Sequence, residues 1–156
     1  MRAARFVSLL ALFACLALFG CSSPPPPTVV ELTIKAGSAL NPDASGRPSP
    51  VIVRVYQLAG AGTFEKADFF QLYEKDNAVL GADLVGRDQV ALAPGDSKTL
   101  KLELKPTAKL VGIAAAFRDI GQADWRAVAK VTPNATTKLM VTIDKLAVKV
   151  AGGANS

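Results

Sequence analysis

From Val29 onward apolar residues recur at every second position, a period that β-strands with one buried face use and helices do not. Val30, Leu32, Ile34 and Ala36 alternate with Val29, Glu31, Thr33 and Lys35, and Leu100, Leu102 and Leu104 alternate with Lys101, Glu103 and Lys105. Val51 to Leu58 is apolar on both sides and rich in β-branched residues, so it reads as a central strand with Val51, Val53 and Val55 inward. Gln89 to Ala93 reads as a short strand closed by the turn Pro94-Gly95-Asp96. Leu110 to Arg118 is small on both faces, with Gly112 and three alanines from Ala114, which predicts close packing in the middle of the domain. Trp125 to Val131 and Lys138 to Asp144 flank the turn Pro133 to Thr136 and are expected to pair as a hairpin, with Leu146 to Val150 as an edge strand.

A helical excursion interrupts these strands. Asp68-Phe69-Phe70-Gln71 has capping-box spacing, and Gly81 supplies the stop, so one or two short helices are expected between them, with Phe69, Leu72 and Tyr73 on one face. Seven or eight short strands with turn punctuation and a single helical insertion indicate an all-β, two-sheet antiparallel sandwich.

The first twenty residues belong to something else. Arg2 and Arg5 precede the 14-residue apolar stretch Phe6 to Phe19, too short for a comfortable membrane span and matched to the h-region of a secretory signal. Leu18-Phe19-Gly20-Cys21 resembles a bacterial lipobox, whose cysteine is acylated and becomes the mature N-terminus. Cys15 has a similar context, but cleavage there would retain an apolar stretch, so Cys21 is the expected lipidation site. Acyl chains contribute about 0.8 kcal/mol per buried CH2, and more than one chain anchors stably. Ser22 and Ser23 fit sorting to the outer membrane, and Pro24 to Pro27 form a stiff spacer of roughly 12 Å. The expected division is a signal peptide over 1–20, a lipidated cysteine and proline-rich linker over 21–28, a sandwich domain over 29–150 and a tail over 151–156.

The body is poor in reactive chemistry. The chain has no histidine, and its two cysteines, Cys15 and Cys21, both lie near the N-terminus, which removes His-based catalysis and Cys- or His-ligated metal sites from the domain. Asp68, Asp76, Asp83 and Asp88 are read as a cap and turn or surface carboxylates rather than a catalytic pair, no calcium-loop spacing occurs, and Gly60-Ala61-Gly62 lacks the phosphate-loop pattern. No enzymatic activity, no metal and no cofactor are expected. The net charge of +5 includes Arg2 and Arg5 of the signal, and the remaining excess is spread singly along strand faces, so no nucleic acid is expected as a partner. A domain binding a small molecule or glycan between its sheets is the competing reading, and it calls for clustered exposed aromatics.

Asn41-Pro42-Asp43, Gly46-Arg47-Pro48, the strand Val51 to Leu58, Ala67-Asp68-Phe69-Phe70, Leu72-Tyr73, Phe117-Arg118-Asp119 and Trp125-Arg126 recur in this order in one family. The chain resembles the TssJ family, outer-membrane lipoproteins of the bacterial type VI secretion system. The resemblance implies a transthyretin-like sandwich on the periplasmic face of the outer membrane, without catalysis, that tethers the TssM inner-membrane protein through its periplasmic domain. It also implies that the loop between the first two strands, Gly37 to Pro50, makes the contact, with Asn41, Pro42, Asp43, Arg47 and Pro48 as candidate residues. This loop is about 14 residues long, more than joining two adjacent strands requires, and Pro42, Pro48 and Pro50 should stiffen it. Arg118, Asp119, Trp125 and Arg126 form a second candidate patch, for which a purely structural role is the competing explanation.

Overall fold

A computed structural model describes residues 24–153; the signal stretch, Cys21 and the last three residues lie outside it. Eight strands form two sheets: β1 (Thr28–Ala36), β2 (Val51–Leu58), β3 (Leu84–Leu92), β4 (Ser97–Leu104), β5 (Leu110–Ala115), β6 (Arg126–Lys130), β7 (Thr136–Asp144) and β8 (Ala147–Gly152). One sheet has the order β4-β1-β7-β8 and the other β3-β2-β5-β6. The strands pair antiparallel except β1 with β7, which run parallel, and an isolated parallel bridge joins Asp124 to Ala147.

The alternating residues meet between the sheets. Val30, Leu32 and Ile34 of β1 and Val141 and Ile143 of the neighbouring β7 share one core cluster with Val51, Val53 and Val55 of β2 and Val111 and Ile113 of β5, from the other sheet. Each of these side chains is almost fully buried, and such burial contributes about 1.5 to 3 kcal/mol per residue, so the alternation itself supplies the core. A second, smaller cluster lies on the outer face of the other sheet, where two helices cover it. Phe64 of α1 (Gly62–Lys66) and Leu72 and Leu80 of α2 (Phe69–Leu80) pack on Tyr56, Leu58 and Ala114. Gly112 makes room for them, since a Cβ there would lie 2.8 Å from Leu58 Cδ1 and 3.0 Å from Phe64 Cζ. The Asp68 carboxylate caps α2 by accepting from the Phe70 and Gln71 amides, as its spacing predicts, and Gly81 ends the helix at φ 52°. A break in helical geometry at Lys75 divides α2.

Three expectations are corrected. β6 and β7 do not form a hairpin: β6 pairs with β5 and β7 with β1 and β8, so Pro133 to Thr136 carries the chain from one sheet to the other. Both strands have apolar alternation and a turn between them, but the sandwich offers β7 a more buried position beside β1 than a two-stranded ribbon would. The strand expected at Gln89 to Ala93 begins earlier, at Leu84, because β2 supplies partners as far as Leu58. Finally, the strands flanking Gly37 to Pro50 are not neighbours, so part of that loop's length serves to cross between the sheets.

Strand direction gives the sandwich two distinct ends. β1 enters from Pro24 to Pro27 at one end and leaves for the Gly37 to Pro50 loop at the other, roughly 30 Å away for nine residues. At the linker end lie the β4–β5 connection around Lys105 to Lys109 and the β6–β7 connection, where the Asn134 amide donates to Thr28 Oγ1 and the Val29 amide to the Ala135 carbonyl. The far end gathers the first loop, the β3–β4 turn, the β5–β6 connection and the β7–β8 turn.

Candidate partner-binding end

The far end is organised around the first loop, whose stem is fixed from within the core. Leu40 is fully buried, and its carbonyl accepts from the Ser49 amide at 2.9 Å, which brings the two limbs of the loop together. Asn41 is 2 % exposed and sits at φ 46°, a left-handed conformation that asparagine tolerates better than most residues. Its Nδ2 donates to the Pro50 carbonyl at 2.7 Å and its Oδ1 accepts from the Arg118 amide at 2.8 Å, while its own amide donates to the Lys145 carbonyl at 2.8 Å. One buried residue therefore ties together both limbs of the loop, the β5–β6 connection and the β7–β8 turn. Gly37 allows the close approach behind it, because a Cβ there would stand 2.7 Å from Asp144 Cβ.

The tip is fixed by Asp43. Its Oδ1 accepts from the amides of Ser45 at 2.8 Å and Arg47 at 3.0 Å, and its Oδ2 accepts from Arg47 Nε at 2.9 Å. The backbone closes the same turn, with the Asp43 amide donating to the Arg47 carbonyl and the Gly46 amide, at φ 77°, donating to the Asp43 carbonyl. These bonds, the Arg47 amide foremost, hold the Asp43 carboxyl below its ordinary range. The Arg47 side chain remains 79 % exposed beyond the ion pair. The tip is accordingly a preformed shape, and an ordered loop loses less entropy on meeting a partner than a disordered one.

Of the five residues that the sequence nominates, Asn41 is interior and Asp43 is committed to the turn, which leaves Pro42, Arg47 and Pro48 presented outward. Two shallow depressions flank Pro42. On one side Asp43, Ala44, Ser45 and Arg47 face Arg118 and Asp119. On the other, Ala39 and Gly46 face Gln122, Asp124 and the turn residues Lys145, Leu146 and Ala147. The last group was missed by sequence reasoning; its signal was the Asp144-Lys145 turn, where Lys145 takes φ 50°.

The second candidate patch is divided. Arg118 and Asp119 adjoin the loop, but Trp125 and Arg126 belong to the helical side: Trp125 meets Phe69 edge to face at 5.1 Å. The Arg126 guanidinium lies over the Trp125 ring and donates to the carbonyls of Phe64 at 3.0 Å and Ala67 at 2.6 Å, closing the end of α1. Burial lowers the Arg126 pKa, as expected of a cation used structurally. The explanation by structure therefore holds for this pair. Asp76, read from sequence as a turn residue, is instead buried in α2, where it pairs with Arg87 and lies 3.7 Å from Arg54. Arg54 also donates to the Tyr73 carbonyl and stacks at 3.8 Å on the Tyr73 ring, so this cluster clamps α2 onto β2 and β3. Contacts between residues 11 to 22 positions apart in sequence carry it, and no local pattern announces such a cluster.

Among the described residues no group of three or more His, Cys, Asp or Glu side chains could hold a metal ion. What the far end offers is an ordered, mixed-charge surface at one end of a two-sheet β-sandwich. Over residues 28–146 the chain matches the family described as type VI secretion lipoprotein, VasD, EvfM, TssJ, and it belongs to that family. It is similar to the type VI lipoprotein TssJ1 of Pseudomonas aeruginosa, with 33 % identity and a TM-score of 0.79, over 84 % of this chain and 100 % of that one. A chain of a structure described as a type VI membrane complex matches at 30 % identity and TM-score 0.70, over 80 % of this chain and 98 % of that one. A chain of a structure from EAEC described as the TssM C-terminal domain (869–1107) matches at 30 % identity and TM-score 0.65, over 78 % and 99 % respectively. No curated protein is matched. The chain is thus a TssJ-type lipoprotein of a type VI secretion system.

Proposed function

We propose that residues 1–20 are a signal peptide, that Cys21 is acylated and held by the 21–28 linker in the outer membrane, and that the 29–150 domain tethers a TssM-like inner-membrane protein from the periplasmic face. The observation that carries this reading is the polarity of the sandwich. The linker enters β1 at one end, and the preformed Gly37 to Pro50 loop stands at the other, about 30 Å further from the lipid surface. Contact with the TssM periplasmic domain is made by Pro42, Arg47 and Pro48 at the tip, flanked by Arg118 and Asp119, with Asn41 and Asp43 holding the shape. One of the similar structures supports the partner. The match to it spans about 122 residues of this chain and nearly all of the matched one, whereas the TssM segment in its description runs from 869 to 1107. A chain of this protein's size accompanying a TssM domain is what a complex between the two families would contain.

The test replaces only residues 42–48 by a Gly-Ser linker, keeping Leu40, Asn41 and Ser49 so that the stem is preserved. Affinity for the TssM periplasmic domain should fall more than tenfold, about 1.4 kcal/mol, in a variant that melts within a few degrees of the parent. Retained affinity in that folded variant would remove the loop tip from the interface.

A further inference from the structure

The linker end of the sandwich carries a basic surface. Lys105 and Lys109 bracket the β4–β5 connection, and Lys130 closes β6; all three are exposed. They share one edge of the molecule: the Lys109 amide donates to the Leu58 carbonyl at 2.8 Å, and its carbonyl accepts from the Val131 amide at 3.2 Å, next to Lys130. Among the described residues none of the three forms an ion pair. Of the nearby carboxylates, Asp83 accepts from Thr63 Oγ1 at 3.1 Å on the helical side, and Glu103 lies one strand position inward on the outer face of β4. The far end differs: there Asp43 holds Arg47, Asp119 follows Arg118 and Asp144 precedes Lys145.

We propose that Lys105, Lys109 and Lys130 dock this end of the domain on anionic phospholipid headgroups of the leaflet that holds the acyl chains, so that the sandwich stands upright with its loop turned away. The inference rests on the reading of Cys21 as the lipid anchor. The linker delivers the chain at Thr28, beside these lysines, so the bilayer is the surface nearest to them and is present at high effective concentration whatever the orientation of the domain. The spacer alone fixes no angle. A lysine close to an anionic membrane gains roughly fivefold in binding, and the gain disappears beyond a screening length.

The acylated full chain is reconstituted into vesicles of phosphatidylcholine alone, or of phosphatidylcholine mixed with phosphatidylglycerol. Thr107→Cys carries a fluorophore, the native Cys21 thiol being occupied by lipid, and spin-labelled headgroups report proximity by quenching; Ser45→Cys marks the far end. Quenching at position 107 should be severalfold stronger with phosphatidylglycerol, should vanish between about 0.1 M and about 1 M salt, and should be lost in the Lys105→Gln, Lys109→Gln, Lys130→Gln variant. Position 45 should stay unquenched under the conditions in which position 107 is quenched. An unchanged melting temperature shows that the variant is folded, since the three side chains are exposed. Equal quenching in both vesicle types, or in parent and variant, overturns the docking while leaving the anchor intact. A chain that floats with neither vesicle, or whose mature N-terminal peptide lacks acyl mass at Cys21, overturns the anchor and the docking with it.

Discussion

Replacing Asn41 by alanine removes two hydrogen bonds and leaves a side chain that fits the left-handed region poorly. The bonds to the Pro50 carbonyl at 2.7 Å and from the Arg118 amide at 2.8 Å are each worth about 1 kcal/mol, with more at stake if water cannot reach the orphaned groups. Holding alanine at φ 46° adds about 1 kcal/mol. The expected loss is about 3 kcal/mol. For a domain of this size, near 4 °C per kcal/mol, this is roughly 12 °C in Tm. Asn41→Gly loses the same bonds but accepts the backbone geometry, so its loss should be about 2 kcal/mol, smaller than that of alanine although glycine is the more flexible residue. Urea unfolding and thermal melts of the two variants measure both quantities, and affinity for the TssM periplasmic domain should fall in each although no outward-facing residue has changed. A loss below about 0.5 kcal/mol for alanine would refute the stapling role. Equal losses for alanine and glycine would refute the assigned backbone strain while leaving the bonds.

Asp76→Ala should cost about 2 to 3 kcal/mol, at the low end for a broken buried pair because Arg87 is partly exposed. Hydrogen exchange should then accelerate in α2 before the sheets open; uniform acceleration across the domain would show that the clamp is not local. Asp43, whose pKa is lowered on folding, contributes stability that is complete above its ordinary value of 3.8 and is lost as pH falls below it. Amide signals of Ser45 and Arg47 should therefore report loss of the loop tip with a midpoint below 3.8, and a midpoint at or above it would contradict the hydrogen-bonded turn.

Much of the fold was legible because its driving force is local. Alternation along β1 and β4 names the buried face without reference to any partner, and Asp68 and Gly81 mark the ends of α2 by the chemistry of the helix terminus itself. Pairing was less legible. β6 and β7 satisfy every local criterion for a hairpin, yet which strand lies beside which is decided by the apolar surface available across the whole sandwich. The site divides in the same way. Pro42 and Gly46 announce a turn, and Asp43 with Arg47 four residues on is a plausible local pair. The link from Asn41 to Arg118, 77 residues away, exists only once both ends of the chain have folded. Asp76 was misread for the same reason, since its partners come from β2 and β3.

The parallel pairing of β1 with β7 also bears on the proposed tether. In that role the linker enters at Thr28 and the docking loop leaves at Ala36, so tension between the membrane and the partner follows a single strand from one end to the other. The helical cover lies off that path. β1 is interior to its sheet, with β4 on one side and β7 on the other, and its bonds to both lie across the line of pull, so they resist it together in shear rather than parting one by one as at a frayed edge. An edge position for the same strand would halve those bonds. Leu40 and Asn41, locked into the far end directly after β1, extend the same path into the loop, so a load reaching the tip is passed to the core before it reaches the strand.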